Sequence, residues 1–321
     1  MIIPFTQKTN IPILGISGIT RSGKAMISNI VSTFDRVEKS NVDVILEQFY
    51  YLYRTKNLDK KTAIYLIRKN LNLFFYYNSL GRNVNFRKSD FTSIFNYPNP
   101  KLYLRRTSTL KEGDFVFKNN KSLVPLMLHN GLQNIDIIFE ALPGIKIIEM
   151  IKNPVELVYS WIQKNYGEDI YEKPRIYVLT IKYQNNIYPY YAKGWESKYK
   201  KMNPYDRAGE MIIKLINERN RTYNRLSINK KKQLLIIHFD DFVTNTDKNL
   251  IKLKKFLKRR QTKFTKKTLK KHKCPRIISK NDYMKKKTFL KKKLSRTIYD
   301  KIILLEKNYF KSAKNEKNTN L

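Results

Sequence analysis

The sequence predicts an α/β protein, a three-layer fold in which helices flank a central parallel sheet, with a β-hairpin insertion. Two observations lead to this expectation. Short apolar runs of strand length alternate with amphipathic helical segments, a pattern typical of parallel sheets covered on both faces. Residues 174–192 instead alternate and are rich in tyrosine, which indicates a hairpin. We expect one domain over residues 1–310 of the 321, an insertion at about 165–200, and a polar tail at 311–321.

The first half of the chain opens with a continuous apolar run at 11–17, which predicts a buried strand. Apolar residues at helical spacing follow at 26–34. The next apolar run is interpreted as a second strand, and the later ones as helices around an irregular stretch that contains prolines. These elements are the strand at 41–48, the helices at 58–70, 71–78 and 123–139, and the irregular region at 90–121.

The second half continues the alternation of strands and helices. Pro154 fits an early helical position, where its missing N–H costs nothing. The residues after 258 are rich in lysine and poorly patterned until a last amphipathic helix. In order, the predicted elements are strand Lys146–Ile151, helix 154–164, hairpin strands 178–183 and 187–191, helix 207–223, strand 232–240, helix 247–257 and helix 297–310.

Composition limits the classes of partner. The formal net charge of +39 predicts attraction for anions such as nucleotides, nucleic acid or acidic glycans, without selecting one. A single cysteine, Cys274, excludes an internal disulfide, and with only three histidines in the chain we expect no metal site. The sequence contains no run of about 18 apolar residues, so no membrane-spanning helix is expected. The first residues do not resemble a signal peptide, so a cytoplasmic location is expected.

The segment GITRSGKA, residues 18–25, matches the phosphate-binding pattern G-x-x-x-x-G-K between a strand and a helix. Glycines let backbone N–H groups close around a phosphate, and the helix N-terminus behind them favours negative charge. The fold is therefore expected to be P-loop-like. In nucleoside triphosphatases the next residue is a Ser or Thr that binds Mg²⁺, but here it is Ala25. The expected phosphate-binding residues are Gly18, Thr20, Arg21, Ser22, Gly23, Lys24 and Ala25.

The same loop resembles the 5′-phosphosulfate loop of sulfotransferases that use 3′-phosphoadenosine 5′-phosphosulfate (PAPS). Bacterial members often read G-x-x-R-S-G-T-[ST], and Arg21, Ser22 and Gly23 match. Lys24 and Ala25 replace the two hydroxyl residues, so Lys24 is a candidate for supplying charge instead. The resemblance implies that Arg21 binds the 5′-phosphate and stabilises the leaving group, a catalytic role.

A second segment, KIIEMIKNPVELVYSW at 146–161, resembles the family's 3′-phosphate motif. Pro154, Ser160 and Trp161 fit, whereas Lys152 stands where Arg is usual, which preserves the charge but not the two parallel hydrogen bonds. A third segment at 238–257 resembles the family's late strand and acidic turn, which is scaffold. The family's C-terminal glycine-and-lysine loop is not recognisable. The basic stretch 270–293, with Arg276, either replaces it or is solvated surface.

Sulfuryl transfer requires a base that accepts the acceptor's proton. Glu47, near the end of the predicted second strand, and His129, on a predicted helix, are rival candidates. The aromatic residues at 188–195 predict stacking on a sugar face or an apolar ligand, or packing within the hairpin. The expected acceptor is thus a hydroxyl or amine, with carbohydrate preferred.

Three alternatives stay open at this point. A P-loop kinase or other phosphotransferase that binds nucleoside triphosphates would require the magnesium hydroxyl that Ala25 lacks. A basic protein that binds nucleic acid or another polyanion would show strongly salt-dependent binding, but the sequence contains no nucleic-acid-binding motif. A sulfotransferase that binds its donor without turnover is the third.

Overall fold

The computed structural model describes residues 11–90, 92–109, 122–168 and 178–318. Residues 169–177 of the predicted insertion, residues 91 and 110–121 of the predicted irregular region, and residues 319–321 of the predicted tail lie outside these ranges. Within them, no helix is long and apolar enough to cross a membrane.

The central feature is a five-stranded parallel sheet, which confirms the predicted fold class. Its spatial order is β2-β3-β1-β4-β7, so the strand before the glycine-rich loop lies in the middle. Leu14 of β1 pairs with Pro125 on one side and with Lys146 on the other. The strands are β1 (Ile13–Gly18), β2 (Asn41–Val42), β3 (Val124–His129), β4 (Lys146–Ile151) and β7 (Leu234–His238).

Helices cover both faces of the sheet. Alternate strand residues such as Ile13 and Leu126 pack on one face, and Leu14 and Ile148 pack on the other. The first face is covered by α2 (Val44–Arg54), α3 (Lys60–Ser79) and α5 (Ile135–Ala141). The second is covered by α1 (Lys24–Val31) and α11 (Thr246–Leu257). A further apolar cluster joins α6 (Pro154–Ile162), α8 (Pro204–Arg225), α13 (Lys280–Lys293) and α14 (Arg296–Asn318).

Three predictions of local structure were wrong. The stretch 90–121, expected to be irregular, contains a helix at Pro100–Thr109. Val124–His129 is a strand, not the start of a helix. A short, continuous apolar run buried on both faces has no period that separates strand from helix. The predicted strand at 41–48 reduces to Asn41–Val42, after which Asp43 caps α2 by accepting a hydrogen bond from the Leu46 backbone N at 3.1 Å. Glu47 therefore lies in the first turn of a helix.

The predicted hairpin is present. Strand β5 (Thr180–Tyr183) pairs antiparallel with β6 (Asn186–Pro189), and a 3₁₀ turn at Tyr190–Ala192 follows. Tyr188 and Ala192 are buried against α6 and α8, whereas Tyr190 packs against the cluster around α2. The hairpin and the turn after it therefore pack against both apolar clusters, the one around α2 and the one around α6 and α8.

The helices not yet described are short or lie at the periphery of the fold. The lysine-rich region is more ordered than its pattern suggested, since it contains two helices joined by a loop at 272–279. The last helix runs beyond the predicted residue 310 to Asn318. The remaining helices are α4 (Pro100–Thr109), α7 (Glu196–Lys201), α9 (Ile228–Lys231), α10 (Phe239–Thr244) and α12 (Phe264–Lys271), with 3₁₀ turns at Ile94–Asn96 and Leu132–Asn134.

Candidate active site

The glycine-rich loop lies at the carboxyl end of β1, and its backbone is closely packed. Gly18 has a φ of 147°, and a Cβ atom there would lie 2.5 Å from the Met150 carbonyl oxygen. Gly23 has a φ of 104°, and its Cβ would lie 2.5 Å from a ring carbon of Phe239. Both the conformation and the space therefore require glycine at these two positions.

Two hydrogen bonds join this loop to helix α6, although the two segments are about 140 residues apart in the sequence. Nε of Arg21 donates to Oγ of Ser160 at 3.1 Å. Nε1 of Trp161 donates to the carbonyl oxygen of Thr20 at 2.9 Å. The structure thus brings together the two segments that the sequence selected separately, and it leaves the Arg21 side chain exposed.

Ser22 contributes a buried hydroxyl to the loop. Its residue is only 1% exposed, and its Oγ has no hydrogen-bond partner among the described residues. Buried hydroxyls are normally satisfied, so an unsatisfied one beside a helix N-terminus fits a ligand that carries acceptor oxygens. The loop therefore suits a phosphate group.

Lys24 is turned into the loop. Its Nζ donates to the carbonyl oxygens of Gly18 at 2.6 Å and Ile19 at 3.2 Å. Burial lowers the pKa of this amine to about 8, and the nearby carboxylates of Glu47 and Glu149 oppose that shift. Lys24 therefore stabilises the loop from within, while Ala25 sits half-buried in the first turn of α1.

The rival bases Glu47 and His129 are in direct contact. Oε1 of Glu47 accepts a hydrogen bond from the backbone N of His129 at 2.6 Å and lies 3.0 Å from the ring Nδ1. Glu47 is 1% exposed, whereas the His129 side chain is 24% exposed. Among the described residues, no hydrogen bond is formed by Nε2 of His129. The two residues therefore form one unit whose outer atom is Nε2.

Aromatic residues surround this pair, and sequence reasoning selected those at 188–195 but not Tyr50 or Tyr51. The hydroxyls of Tyr50 and Tyr51 donate to the His129 carbonyl oxygen at 2.7 and 2.9 Å. Tyr51 stacks on Tyr190 with ring centroids 4.1 Å apart, and Asn130 donates to the Tyr190 hydroxyl at 3.1 Å. A cavity of about 30 Å³ is enclosed by Thr20, Glu47, Tyr51, His129, Asn130, Trp161, Val178, Tyr190 and Tyr191. The phosphate loop and the Glu47–His129 pair therefore border the same small cavity, here called the central cavity.

Lys152 borders a larger cavity of about 520 Å³, here called the Lys152 cavity. Its Nζ lies 4.8 Å from the ring centroid of Phe239, and Cζ of Arg276 lies 5.4 Å from the same centroid. Burial lowers the pKa of Lys152, and Lys286 and Arg21 act in the same direction, whereas Glu156 and Asp240 oppose it. The basic stretch thus contributes Arg276 to the site, and Phe239, expected only as scaffold, contacts both cations.

The residues expected to bind the donor therefore follow one path. It runs from the central cavity, across the loop and Ser160, to the Lys152 cavity. Within the described ranges, no group of three or more His, Cys, Asp or Glu residues could hold a metal ion.

Comparison with known proteins identifies the family of the chain. A family model described as a sulfotransferase domain matches residues 14–320. No curated protein matches the chain. Among solved structures, the sulfotransferase domain from the curacin biosynthetic pathway is 12% identical, with 81% of this chain and 77% of that chain covered and a TM-score of 0.42.

Two further solved structures are similar at the same level. The sulfotransferase domain of the Synechococcus PCC 7002 olefin synthase is 11% identical, with 82% of this chain and 78% of that chain covered and a TM-score of 0.40. A sulfotransferase from Mycobacterium avium is 9% identical, with coverages of 82% and 67% and a TM-score of 0.40. At these identities and scores, the likeness carries no information about substrate.

Proposed function

The chain belongs to the sulfotransferase domain family, and we propose that it transfers a sulfuryl group from PAPS to a hydroxyl group of its acceptor. The observation that carries the proposal is the hydrogen bond between Arg21 and Ser160. It connects the loop suited to a 5′-phosphate with the helix that follows Lys152. A nucleotide with phosphates on both the 3′ and the 5′ positions of its ribose requires two such cationic positions on one surface.

The donor's two phosphates are assigned to different groups. The Ser22 hydroxyl, the loop N–H groups and Arg21 would hold the 5′-phosphosulfate. Lys152, Ser160 and Arg276 would hold the 3′-phosphate, and Phe239 offers an aromatic face in the same cavity for the base. The 520 Å³ of this cavity lies in the range of small-ligand sites.

The proposed reaction is an in-line displacement at sulfur. The acceptor oxygen forms a bond to sulfur while the bond between sulfur and the bridging oxygen of the 5′-phosphate breaks. The leaving 3′-phosphoadenosine 5′-phosphate (PAP) keeps the electron pair, and the Arg21 guanidinium stabilises the charge that develops there. Nε2 of His129 accepts the acceptor's proton, while Glu47 holds the proton on Nδ1 and stabilises the imidazolium that forms.

The acceptor is proposed to be a carbohydrate. Tyr51, Tyr190 and Tyr191 line the central cavity beside His129, and aromatic faces with nearby polar groups suit sugar rings. The inward position of Lys24 and the methyl group of Ala25 leave no hydroxyl at the position where P-loop phosphotransferases bind Mg²⁺. This supports sulfuryl transfer over the kinase alternative.

The direct test is calorimetric binding of PAP and of ATP with magnesium, at about 0.15 M salt so that weak charge attraction is screened. We expect PAP to bind tightly and independently of magnesium. Preference for magnesium-ATP would instead support a phosphotransferase. Binding of neither nucleotide, together with strongly salt-dependent binding of single-stranded DNA, would support the polyanion-binding alternative.

A further inference from the structure

A third cavity adjoins the central cavity and has no role in the reaction described so far. Its volume is about 430 Å³, and it shares Tyr190 and Tyr191 with the central cavity. It lies between the end of α2, the residues that follow the hairpin, and the middle of α8. We call it the basic groove and define it by Arg54, Lys193, Trp195, Lys214 and Arg221.

The groove has an excess of positive charge. Glu218 is the only carboxylate that lines it, and it forms an ion pair with Arg54. Lys193, Lys214 and Arg221 have no ion-pair partner in the part of the chain that the structure describes. Four cations therefore line the groove beside one carboxylate, and three of them form no ion pair among the described residues.

The cations come from different elements, so the groove is not a by-product of one lysine run. Arg54 ends α2, Lys193 follows the 3₁₀ turn, and Lys214 and Arg221 lie two turns apart on α8. Nζ of Lys193 donates to the Thr55 carbonyl oxygen at 2.7 Å, which fixes it against the end of α2. Because these cations converge from separate elements, they form one concave basic surface.

An aromatic wall accompanies the charge. Nε1 of Trp195 donates to the Tyr191 carbonyl oxygen at 2.7 Å, and its ring packs against Tyr199 with centroids 5.2 Å apart. Nζ of Lys214 lies 4.9 Å from the centroid of the same indole. Trp195 is therefore held in one orientation, with a cation on its ring. A fixed aromatic face beside unpaired cations matches a sugar ring that carries an anionic substituent.

We propose that the basic groove is an acceptor subsite for an anionic saccharide, and that it binds a carboxylate or sulfate of the acceptor while a neighbouring hydroxyl reaches His129. This inference rests on the proposed function, because it assigns the central cavity to the reacting hydroxyl. The shared tyrosines make the two cavities neighbours. The groove, at about 430 Å³, has room for a sugar unit, whereas the central cavity, at about 30 Å³, has room only for the reacting hydroxyl.

The test uses the full chain saturated with PAP and an unsulfated chondroitin tetrasaccharide, which carries uronic carboxylates, beside its carboxyl-reduced form. Binding is measured by calorimetry at about 0.15 M salt. We expect the carboxylated form to bind roughly tenfold or more tightly than the reduced form, since each charge-assisted hydrogen bond contributes about that much. A sulfated tetrasaccharide distinguishes sulfate from carboxylate as the preferred anion. Equal binding of the charged and reduced forms would overturn the proposal.

The double variant Lys214→Ala/Arg221→Ala should remove the preference for the charged form. The matched control is Lys266→Ala/Lys267→Ala, which removes the same charge from exposed lysines on α12, outside the groove. If both double variants weaken binding equally, the effect is one of net charge and the groove is not the site. The variant Trp195→Ala should weaken binding of the charged and reduced forms alike, because it removes the stacking face.

A failure of the donor proposal is distinguishable from a failure of this one. PAP binding is measured first, in the wild type and in both double variants. If PAP does not bind, the proposed function fails. If PAP binds equally to all three proteins but the tetrasaccharide shows no dependence on Lys214 and Arg221, only the acceptor subsite fails.

Discussion

The carboxylate of Glu47 contacts His129 at two points, since Oε1 accepts the backbone N–H at 2.6 Å and lies 3.0 Å from the ring Nδ1. This contact holds both the carboxyl end of β3 and the imidazole ring of His129. It also leaves Nε2 as the ring nitrogen that forms no hydrogen bond among the described residues. The two residues are therefore expected to act together rather than as alternative bases.

The first prediction concerns this pair. His129→Ala should lower turnover by roughly 10²- to 10⁴-fold, because the general base is lost. Glu47→Gln should lower turnover less, since an amide still contacts the ring but does not stabilise its charged form. Turnover is measured with labelled PAPS, and PAP binding serves as the control and should be unchanged. The double variant should be no worse than His129→Ala, because residues acting as a unit are not additive. Full additivity would contradict the paired role.

The second prediction concerns Arg21. Arg21→Ala should reduce turnover by roughly 10²-fold, as expected when one group that stabilises the leaving oxygen is removed. Arg21→Lys should recover part of the loss, because a point charge remains. The matched control is Arg225→Ala, which removes an exposed guanidinium at the end of α8. Unchanged turnover in Arg21→Ala would remove this residue from the reaction.

The third prediction assigns the 3′-phosphate. Lys152→Ala and Arg276→Ala should each weaken PAP binding by roughly ten- to a hundredfold, the range of a hydrogen bond to a charged group. Binding of adenosine 5′-phosphate, which lacks the 3′-phosphate, should change little. Lys248→Ala, which removes an exposed lysine outside the Lys152 cavity, is the control. An equal loss for both nucleotides would show that the two cations act on the common part of the ligand.

The fourth prediction concerns the stability of the loop. Gly23→Ala should lower the free energy of unfolding by about 1–3 kcal/mol, because the residue has a φ of 104° and its new Cβ meets the Phe239 ring. Urea denaturation measures the change. Gly144→Ala is the matched control, since nothing lies within 4 Å of a Cβ added there. Equal stability of the two variants would contradict the close packing of the loop on Phe239.

The fifth prediction is a pH dependence that comes from Lys24. Its pKa falls from 10.5 in the unfolded chain to about 8 in the folded protein. Folding therefore favours the neutral form of the Lys24 amine. The contribution of Lys24 to stability is complete above pH 10.5 and is lost as the pH falls through about 8. Between these values, the free energy of unfolding should rise with pH by up to about 1.4 kcal/mol per unit from this group.

The measurement compares the wild type with Lys24→Met in urea at several pH values. The variant should show a smaller rise between pH 8 and 10.5. Lys39, whose pKa is also lowered by burial to about 8, remains in both proteins and keeps part of the rise. Identical slopes for the two proteins would show that Lys24 is not buried as described.

The sequence predicted the parallel sheet and the phosphate loop because both depend on local signals, a strand, a glycine-rich turn and a helix in succession. It also predicted the segment that holds Lys152 and Ser160 for the same reason. It could not predict that Arg21 and Ser160 touch, since that contact depends on the order of β1 and β4 in the sheet.

The Glu47–His129 pair was missed for a different reason. The apolar run before His129 was interpreted as a helix, which placed the histidine on the wrong element, and Glu47 was placed on a strand. Asp43 before an apolar run was a helix start signal that would have corrected the second error. No comparable signal exists for Arg276, whose approach to Lys152 depends on how the loop at 272–279 packs against Phe239.

The inward position of Lys24 has a consequence for how the donor arrives. The loop is held from within by this amine and from outside by the indole of Trp161, so its shape does not depend on a bound phosphate. A site that is already ordered loses little chain entropy when its ligand binds. The proposed donor is then expected to associate at a rate set by diffusion and by electrostatic steering toward this strongly cationic chain, without a slower rearrangement of the loop.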